Sequence, residues 1–291
     1  MIRLTRVGPL TTVQDAGRFG HLGSGIAASG AMDRSAYRAA GAMLGRAGSA
    51  AIEFTTAGLF LETDAPLRLA WAGGAFGCRV NGKPRPWPGK ARLAGGDRLE
   101  ITPGPAGNYG YLRFEREIDL PLVLGSRSTN LTVGLGGLDG RALRAGDCLA
   151  LAGPGEAQPD AFRPAPEGPI RFVWGLHADL FAPETRRAFF DNAFRVSTRL
   201  DRMGSRLEDV AGVFAGVQQL ALVSDAIVPG DIQILGDGTP IVLLADHQPT
   251  GGYPRIATII DADRDRFAQL RPGTEVRFTP VTVAHAQEAL R

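Results

Sequence analysis

The chain changes character abruptly within Pro240-Ile241-Val242-Leu243-Leu244-Ala245-Asp246-His247-Gln248-Pro249-Thr250-Gly251-Gly252-Tyr253-Pro254. The first six residues are apolar and partly β-branched, which predicts a strand buried on both faces. The polar residues that follow, and the second apolar run Ile256–Ile260, predict a loop held at the rim of a rigid sheet. Turn chemistry alone would also explain the Asp, Thr, Gly-Gly and Pro residues as a plain hairpin loop.

This polar loop carries groups that can contact a small ligand. Asp246 and Gln248 are predicted catalytic residues, and we expect the Asp246 carboxylate to face a cavity while its backbone is fixed by the preceding strand. The two glycines allow close approach of the backbone and offer N–H groups to an anion. A tyrosine adds a stacking face and a hydroxyl. The predicted substrate-binding residues of the loop are Thr250, Gly251, Gly252 and Tyr253.

A second polar, glycine-rich loop, Gln14–Gly30, precedes the clearest helix of the sequence. Loops of this length in compact domains are often functional, so Gln14 and Arg18 are predicted to bind substrate, with a self-closed surface loop as the alternative. Asp33 suits the N-cap of the helix and Gly45 suits its end. Because N–H groups at a helix N-terminus bind anions, the segment from Ser29 to Asp33 is a candidate carboxylate or phosphate site. Asp33 either caps the helix or acts catalytically by orienting a substrate amide.

Two arginines are candidates for binding a substrate carboxylate. Arg127 lies among serines and a threonine, which suits a bidentate contact with a carboxylate or phosphate, although a surface arginine would look the same. Arg202 lies in Asp201-Arg202-Met203-Gly204. We expect it to be a ligand-facing side chain whose removal leaves stability nearly unchanged.

Composition limits the function classes. The 291 residues carry a net charge of only +2, which gives no electrostatic case for nucleic-acid binding. No apolar run approaches the roughly 20 residues that span a membrane, so we expect a cytoplasmic protein. Cys78 and Cys148 are expected to be two buried thiols, with a disulfide left open. No Cys/His pair has metal-ligand spacing, so no metal site is expected.

The 39 glycines and 20 prolines suit many short strands joined by tight turns. We therefore predict a mainly β fold with a few short helices. The proline-rich segment Gly153–Pro169 indicates a boundary, which gives a lobe at 1–155, a linker at 156–167 and a lobe at 168–291. Three similar strings each predict a tight turn that leads into a strand with an inward-facing apolar residue: Leu93–Leu99, Leu143–Leu149 and Leu270–Val276.

The stretch from Pro240 to Pro254 closely resembles the signature of the biotin-dependent carboxyltransferase family, also called the allophanate hydrolase subunit 2 or KipA family. Further family strings lie in the expected order along the chain, so the resemblance covers nearly its whole length. They are Thr11–Asp15 with Gly17-Arg18, Ser29–Asp33, Leu124–Thr129, Gly140–Asp147, and Asp201–Gly204 with Arg206-Leu207. The resemblance implies two β-barrel-like, cyclophilin-like lobes.

The resemblance also implies a function. The nearest activity is that of the C subunit of an ATP-dependent 5-oxoprolinase, which would act with KipI-like B and LamB/YcsF-like A subunits and use ATP with Mg²⁺. One alternative is the carboxyltransferase component of a biotin-dependent, urea carboxylase-like system. Another is a regulator without enzymatic activity that binds a KipI-like partner.

Several positions depart from the family pattern. His247 replaces the usual arginine after the aspartate, and Pro249 replaces the usual second threonine. Glu115–Asp119 and Trp174–His177 also differ from the family strings. We expect these differences to bear on the substrate and not on the fold.

Overall fold

The computed structural model describes residues 1–159, 167–217 and 222–290. The chain divides into two compact units, Met1–Gly20 with Ala28–Pro164, and His21–Ala27 with Ala165–Arg291. The predicted linker is wrong at its start, because Glu156–Ala157 pairs as a strand with Arg46–Ala47 of the first unit. Its later part, 160–166, lies outside the described residues.

The first unit is built from short antiparallel strands. The elements are β1 (Ile2–Val7), β2 (Thr12–Gln14), α1 (Arg34–Leu44), β3 (Arg46–Ala47), β4 (Ala51–Thr55), β5 (Leu59–Thr63), β6 (Leu67–Ala72), β7 (Ala75–Val80), β8 (Lys83–Pro84), β9 (Gly89–Leu93), β10 (Arg98–Ala106), β11 (Tyr109–Phe114), β12 (Arg116–Ile118), β13 (Cys148–Leu149), β14 (Leu151–Pro154) and β15 (Glu156–Ala157). A six-stranded sheet has the order β13-β1-β5-β10-β7-β8 and a five-stranded sheet has the order β2-β4-β11-β6-β9. Apolar side chains of both sheets, among them Leu61, Trp71 and Leu99, fill one core between them.

Helix α1 confirms the capping prediction. The Asp33 carboxylate accepts a hydrogen bond from the Ala36 amide at 2.8 Å, which satisfies one N–H group of the first turn. Gly45 ends the helix with φ of 72°. The buried face, which includes Tyr37 and Ala40, packs against β6 and β11.

The elements of the second unit are β16 (Ile170–Trp174), α2 (Pro183–Asp191), β17 (Phe194–Leu200), β18 (Gly204–Glu208), β19 (Asp225–Ala226), β20 (Asp231–Ile234), β21 (Pro240–Leu243), β22 (Thr250–Gly251), β23 (Arg255–Ile259), α3 (Asp261–Ala268), β24 (Glu275–Val276), β25 (Phe278–Pro280) and α4 (Val283–Glu288). Eight of the strands form one large sheet with the order β24-β17-β18-β21-β20-β23-β16-β25. The two edge strands, β24 and β25, are separated in sequence by Arg277 alone, so the sheet curls into a nearly closed barrel. The predicted mainly β, barrel-like fold with few helices is confirmed.

The three repeated turns adopt the same conformation. Their glycines have φ values of 88°, 96° and 86°, which side-chain-bearing residues rarely adopt. Each turn leads to a buried apolar residue, with relative exposure of 0%, 1% and 3% respectively. The prediction is therefore confirmed at all three sites, whose glycines are Gly96, Gly146 and Gly273 and whose apolar residues are Leu99, Leu149 and Val276.

The expectation of two buried thiols fails at one of them. Cys78 is buried, and burial raises the pKa of its thiol to about 12, but Cys148 is exposed, and both thiols are free. None of the helices in the described part of the chain has the length and apolar character needed to cross a bilayer.

Candidate functional site

In the second unit, the polar loop after β21 is not a hairpin. Strand β20 lies between β21 and β23, so the strands that flank the loop are not neighbours. The loop is instead anchored to two distant segments. The Asp246 amide donates to the Arg202 carbonyl at 2.8 Å, and Thr250–Gly251 pairs with Asp225–Ala226.

Arg202 and Asp246 form a buried ion pair within the second unit. Arg202 Nε donates to Asp246 Oδ2 at 2.9 Å, and Nη2 donates to Oδ1 at 3.1 Å. The two side chains are only 3% and 2% exposed. The carboxylate therefore faces a guanidinium and not the expected cavity. Arg202 is therefore buried and paired, and not the ligand-facing side chain expected from the sequence. Its removal would leave a buried charge without a partner, which costs about 3–5 kcal/mol.

The rest of the loop divides into buried and accessible residues. The His247 ring is 3% exposed and its Nδ1–H donates to the Gln248 carbonyl at 2.6 Å. Burial lowers the pKa of His247, partly offset by this hydrogen bond. Gln248 is partly exposed, Thr250 is exposed and Tyr253 is 42% exposed. The accessible loop groups are therefore the ones that a ligand would reach.

A polar cluster beneath the loop was not predicted from the sequence. Asp231 on β20 accepts a hydrogen bond from the Thr258 hydroxyl at 2.6 Å, and lies 3.5 Å from Arg255 Nη1. Arg255 Nη2 donates to Asp225 at 2.7 Å. Gln233 lies on the same strand face as Asp231, since side chains alternate along a strand. The sequence signal for this cluster is an Asp and a Gln two residues apart in an otherwise apolar strand.

Gln233 is the most unusual member of this cluster. It is 1% exposed, and its Nε2 has no hydrogen-bond partner among the described residues. An unsatisfied buried donor costs about 1–3 kcal/mol, and native proteins keep few of them. The pKa of nearby His177 is lowered, chiefly by burial and then by the Arg255 charge.

In the first unit, the predicted ligand-binding side chains Gln14 and Arg18 are buried and bound to the backbone. Gln14 Nε2 donates to the Thr129 carbonyl at 2.9 Å, and its Oε1 accepts from the Gly30 amide at 3.1 Å. Arg18, 1% exposed, donates to the carbonyls of Val123 and Ser128 at 2.9 and 2.8 Å. These contacts show that both side chains hold the loop in place.

Asp15 joins the two polar loops of the first unit. Its Oδ1 accepts hydrogen bonds from the hydroxyls of Ser126 and Ser128, both at 2.6 Å. Its Oδ2 accepts from the Arg127 amide at 2.6 Å. Arg127 itself donates through Nε to the Leu120 carbonyl at 2.8 Å, and its side chain is 19% exposed. The guanidinium is therefore partly engaged by the protein.

The segment from Ser29 to Asp33 does not form the expected anion site through its backbone. The amides of residues 30, 31, 32 and 33 donate to protein acceptors at 3.1, 3.1, 2.9 and 2.8 Å. Two of these acceptors, Glu53 and Tyr111, are completely buried and bonded to each other at 2.7 Å. Ser29 remains distinctive, because its φ is 55° and its buried hydroxyl has no partner among the described residues.

The predicted site residues thus form two groups, one within each unit. The first-unit group comprises Gln14, Arg18, Ser29, Asp33 and Arg127, of which Arg127 is bonded to Asp15 through its amide. The second-unit group surrounds the Arg202–Asp246 pair and comprises Arg202, Asp246, Gln248, Thr250, Gly251, Gly252 and Tyr253.

Comparisons with known proteins identify the family. The family model "Carboxyltransferase domain, subdomain A and B" matches residues 24–280. The C subunit of the Escherichia coli (strain K12) 5-oxoprolinase is 35% identical over a 299-residue alignment, which covers 99% of this chain and 94% of that protein. The corresponding 5-oxoprolinase protein of Haemophilus influenzae is 33% identical, with 100% and 94% covered.

A solved structure extends the comparison to yeast. The Kluyveromyces lactis urea amidolyase is similar with a TM-score of 0.88 and 28% identity over 98% of this chain, which spans only 19% of that larger chain. The sequence match and the structural match both run over nearly the whole chain. The chain therefore belongs to the carboxyltransferase-domain family that comprises subdomains A and B.

Proposed function

We propose that this chain is the C subunit of an ATP-dependent 5-oxoprolinase that opens 5-oxo-L-proline to L-glutamate. The observation that carries the proposal is the match with two bacterial proteins of that name, each covered over 94% of its length. The urea amidolyase, in contrast, is matched over only 19% of its chain. The proposed partners are KipI-like and LamB/YcsF-like subunits.

The chemistry sets demands on the site. The lactam is a resonance-stabilised amide, so the proposed reaction uses ATP with Mg²⁺ to phosphorylate the carbonyl oxygen, with release of ADP. Water then adds to the activated carbon, the ring C–N bond breaks with a proton transferred to the nitrogen, and phosphate leaves. The site must also bind the substrate carboxylate and stabilise the charge that develops during ring opening. Gln248, Thr250 and the Gly251-Gly252 backbone are the accessible groups of the signature loop for these tasks. In this proposal, the Arg202–Asp246 pair positions the loop and does not itself transfer a proton.

Within the first unit, Ser29 is a separate candidate. Its buried hydroxyl has no partner among the described residues, and the amide of the next residue is held by Gln14. A serine kept at a positive φ usually reflects a functional constraint. We propose that the Ser29 hydroxyl makes a hydrogen bond to a ligand within that unit.

A second candidate is the carboxyltransferase step of a biotin-dependent, urea carboxylase-like system. The observation that favours it is the structural similarity to the Kluyveromyces lactis enzyme, with a TM-score of 0.88. In that case carboxybiotin on a separate carrier protein would be the co-substrate.

Reconstitution tests the two candidates. The chain is mixed with its proposed KipI-like and LamB/YcsF-like partners, and glutamate release from 5-oxo-L-proline is measured with and without ATP. ATP-dependent release that requires all three proteins supports the 5-oxoprolinase. Activity that requires a biotin carrier and urea favours the second candidate. Stable binding of a KipI-like partner without turnover of either substrate would leave the regulator as the function.

A further inference from the structure

We propose that the Gln233 carboxamide recognises the amide edge of a small cyclic amide or urea through two parallel hydrogen bonds beside Gly251. This inference rests on the proposed function for its substrate class and names the group that would read the substrate. It concerns binding only, and no bond is made or broken.

The first observation is an isolated buried donor. The Gln233 side chain extends from β20 and is 1% exposed. Its Nε2 atom has no hydrogen-bond partner in the described part of the chain. Other buried groups around it are paired, as the Thr258–Asp231 bond at 2.6 Å illustrates. A buried amide beside such a network is expected to have its partner supplied by a ligand.

The second observation gives the direction of this donor. A Cβ atom built on Gly251 would lie 2.4 Å from Gln233 Nε2 and 3.3 Å from the Ile227 side chain. The amide therefore lies directly against the backbone of the signature loop, where Gly251 is partly exposed. A side chain at position 251 would displace this amide, so glycine lets the signature loop pack directly against Gln233.

The surrounding charges favour a neutral group over an anion. Arg255 is the cation of the cluster, and it contacts both Asp225 at 2.7 Å and Asp231 at 3.5 Å. Two carboxylates thus face one guanidinium. A third anion would be repelled from this position, whereas an uncharged amide would not.

The chemistry of a carboxamide identifies the ligand edge. Gln233 carries a donor and an acceptor side by side in one plane. A lactam presents a carbonyl oxygen and an N–H on the same edge because its ring keeps them syn, and each planar amino group of urea has one N–H syn to the carbonyl oxygen. The two edges are complementary. An N-methylated lactam keeps the carbonyl but loses the N–H and cannot form the pair.

The test measures binding by calorimetry with the full chain, alone and with its proposed partner subunits. The probes are 5-oxo-L-proline, urea, 2-pyrrolidinone and N-methyl-2-pyrrolidinone. The variants are Gln233→Met, which removes the amide with little change in shape, and Gln233→Glu, which keeps the acceptor and removes the donor. Gln287→Met on the exposed face of α4 is the matched control.

We expect 2-pyrrolidinone to bind at least tenfold more tightly than its N-methyl derivative, and both Gln233 variants to weaken binding at least tenfold while the control does not. Gln233→Met should melt at or above the wild-type temperature, because an apolar isostere removes an unsatisfied buried donor. If Gln233→Met does not fold, Gln233→Glu and the N-methyl comparison decide.

Two results would overturn the inference: unchanged probe binding in the variants, or no binding of any amide-edge probe by the wild-type chain with or without its partners. Failure of the proposed function looks different. In that case the amide probes bind and their binding depends on Gln233, but the reconstituted complex releases no glutamate.

Discussion

The buried Arg202–Asp246 pair makes a quantitative prediction about the second unit. Its two hydrogen bonds of 2.9 and 3.1 Å join side chains that are 3% and 2% exposed. Arg202→Met leaves an uncompensated buried carboxylate, which costs about 3–5 kcal/mol. At about 3 °C per kcal/mol for a unit of this size, the melting temperature should fall by about 9–15 °C.

The assay is thermal and urea unfolding of four proteins: wild type, Arg202→Met, Asp246→Leu and the double variant. The double variant should be much less destabilised than the sum of the single variants, since no unpaired charge remains. The exposed pair Arg187–Asp191, with side chains 80% and 51% accessible, is the control. Arg187→Met should change stability by less than about 0.5 kcal/mol.

A loss below about 0.5 kcal/mol for Arg202→Met would refute the reasoning, because that is the range of a solvated side chain. Turnover provides a second criterion. If the pair acts by positioning the loop, stability and turnover should fall together in the single variants. A variant with wild-type stability and at least about 100-fold lower turnover would instead assign Asp246 a direct proton-transfer role.

Three further predictions concern other sites. Ser29→Gly should change stability by less than about 1 kcal/mol, since glycine accepts the positive φ, but should raise KM at least tenfold in the reconstituted enzyme; an unchanged KM removes the hydroxyl from the site. The pKa values of His177 and His247 are both lowered in the folded chain, so on acidification the unfolded chain binds protons before the folded chain does. The free energy of unfolding should therefore decline as pH falls below about 6.5. Denaturant unfolding at pH 7 and pH 5 tests this, and His247→Asn should reduce the difference; equal stability at both values contradicts it. A thiol reagent should modify exposed Cys148 in the native chain and buried Cys78 only after unfolding, and rapid labelling of both would contradict the burial of Cys78.

Local sequence patterns predicted the elements well where the structure is set by near neighbours. Helix α1 has its cap at Asp33 because a carboxylate three residues before an amide satisfies the first turn. The glycine of each repeated turn was recognisable because few other residues adopt its φ. Family strings located the signature loop for the same reason, since they are contiguous in the chain.

The site chemistry depended on contacts between distant residues, which a single sequence does not reveal. Arg202 and Asp246 are 44 positions apart, and each alone suggests a ligand-facing charge. Gln14 lies in a loop that looks exposed, yet its amide binds the carbonyl of Thr129, 115 positions away. Gln233 lies between two isoleucines of β20, and an apolar strand pattern does not show whether such an amide is paired.

The anchoring of the signature loop matters for any attempt to transplant specificity between members of this family. Within the loop, Thr250–Gly251 pairs with Asp225–Ala226, and the Ile227 amide donates to the Pro249 carbonyl at 3.3 Å. The loop and this strand therefore form one exchangeable module although about 20 residues separate them in the chain. A chimera that imports the loop alone would place it against foreign segments, while one that imports residues 222–254 together with Arg202 would carry the loop with both of its anchors.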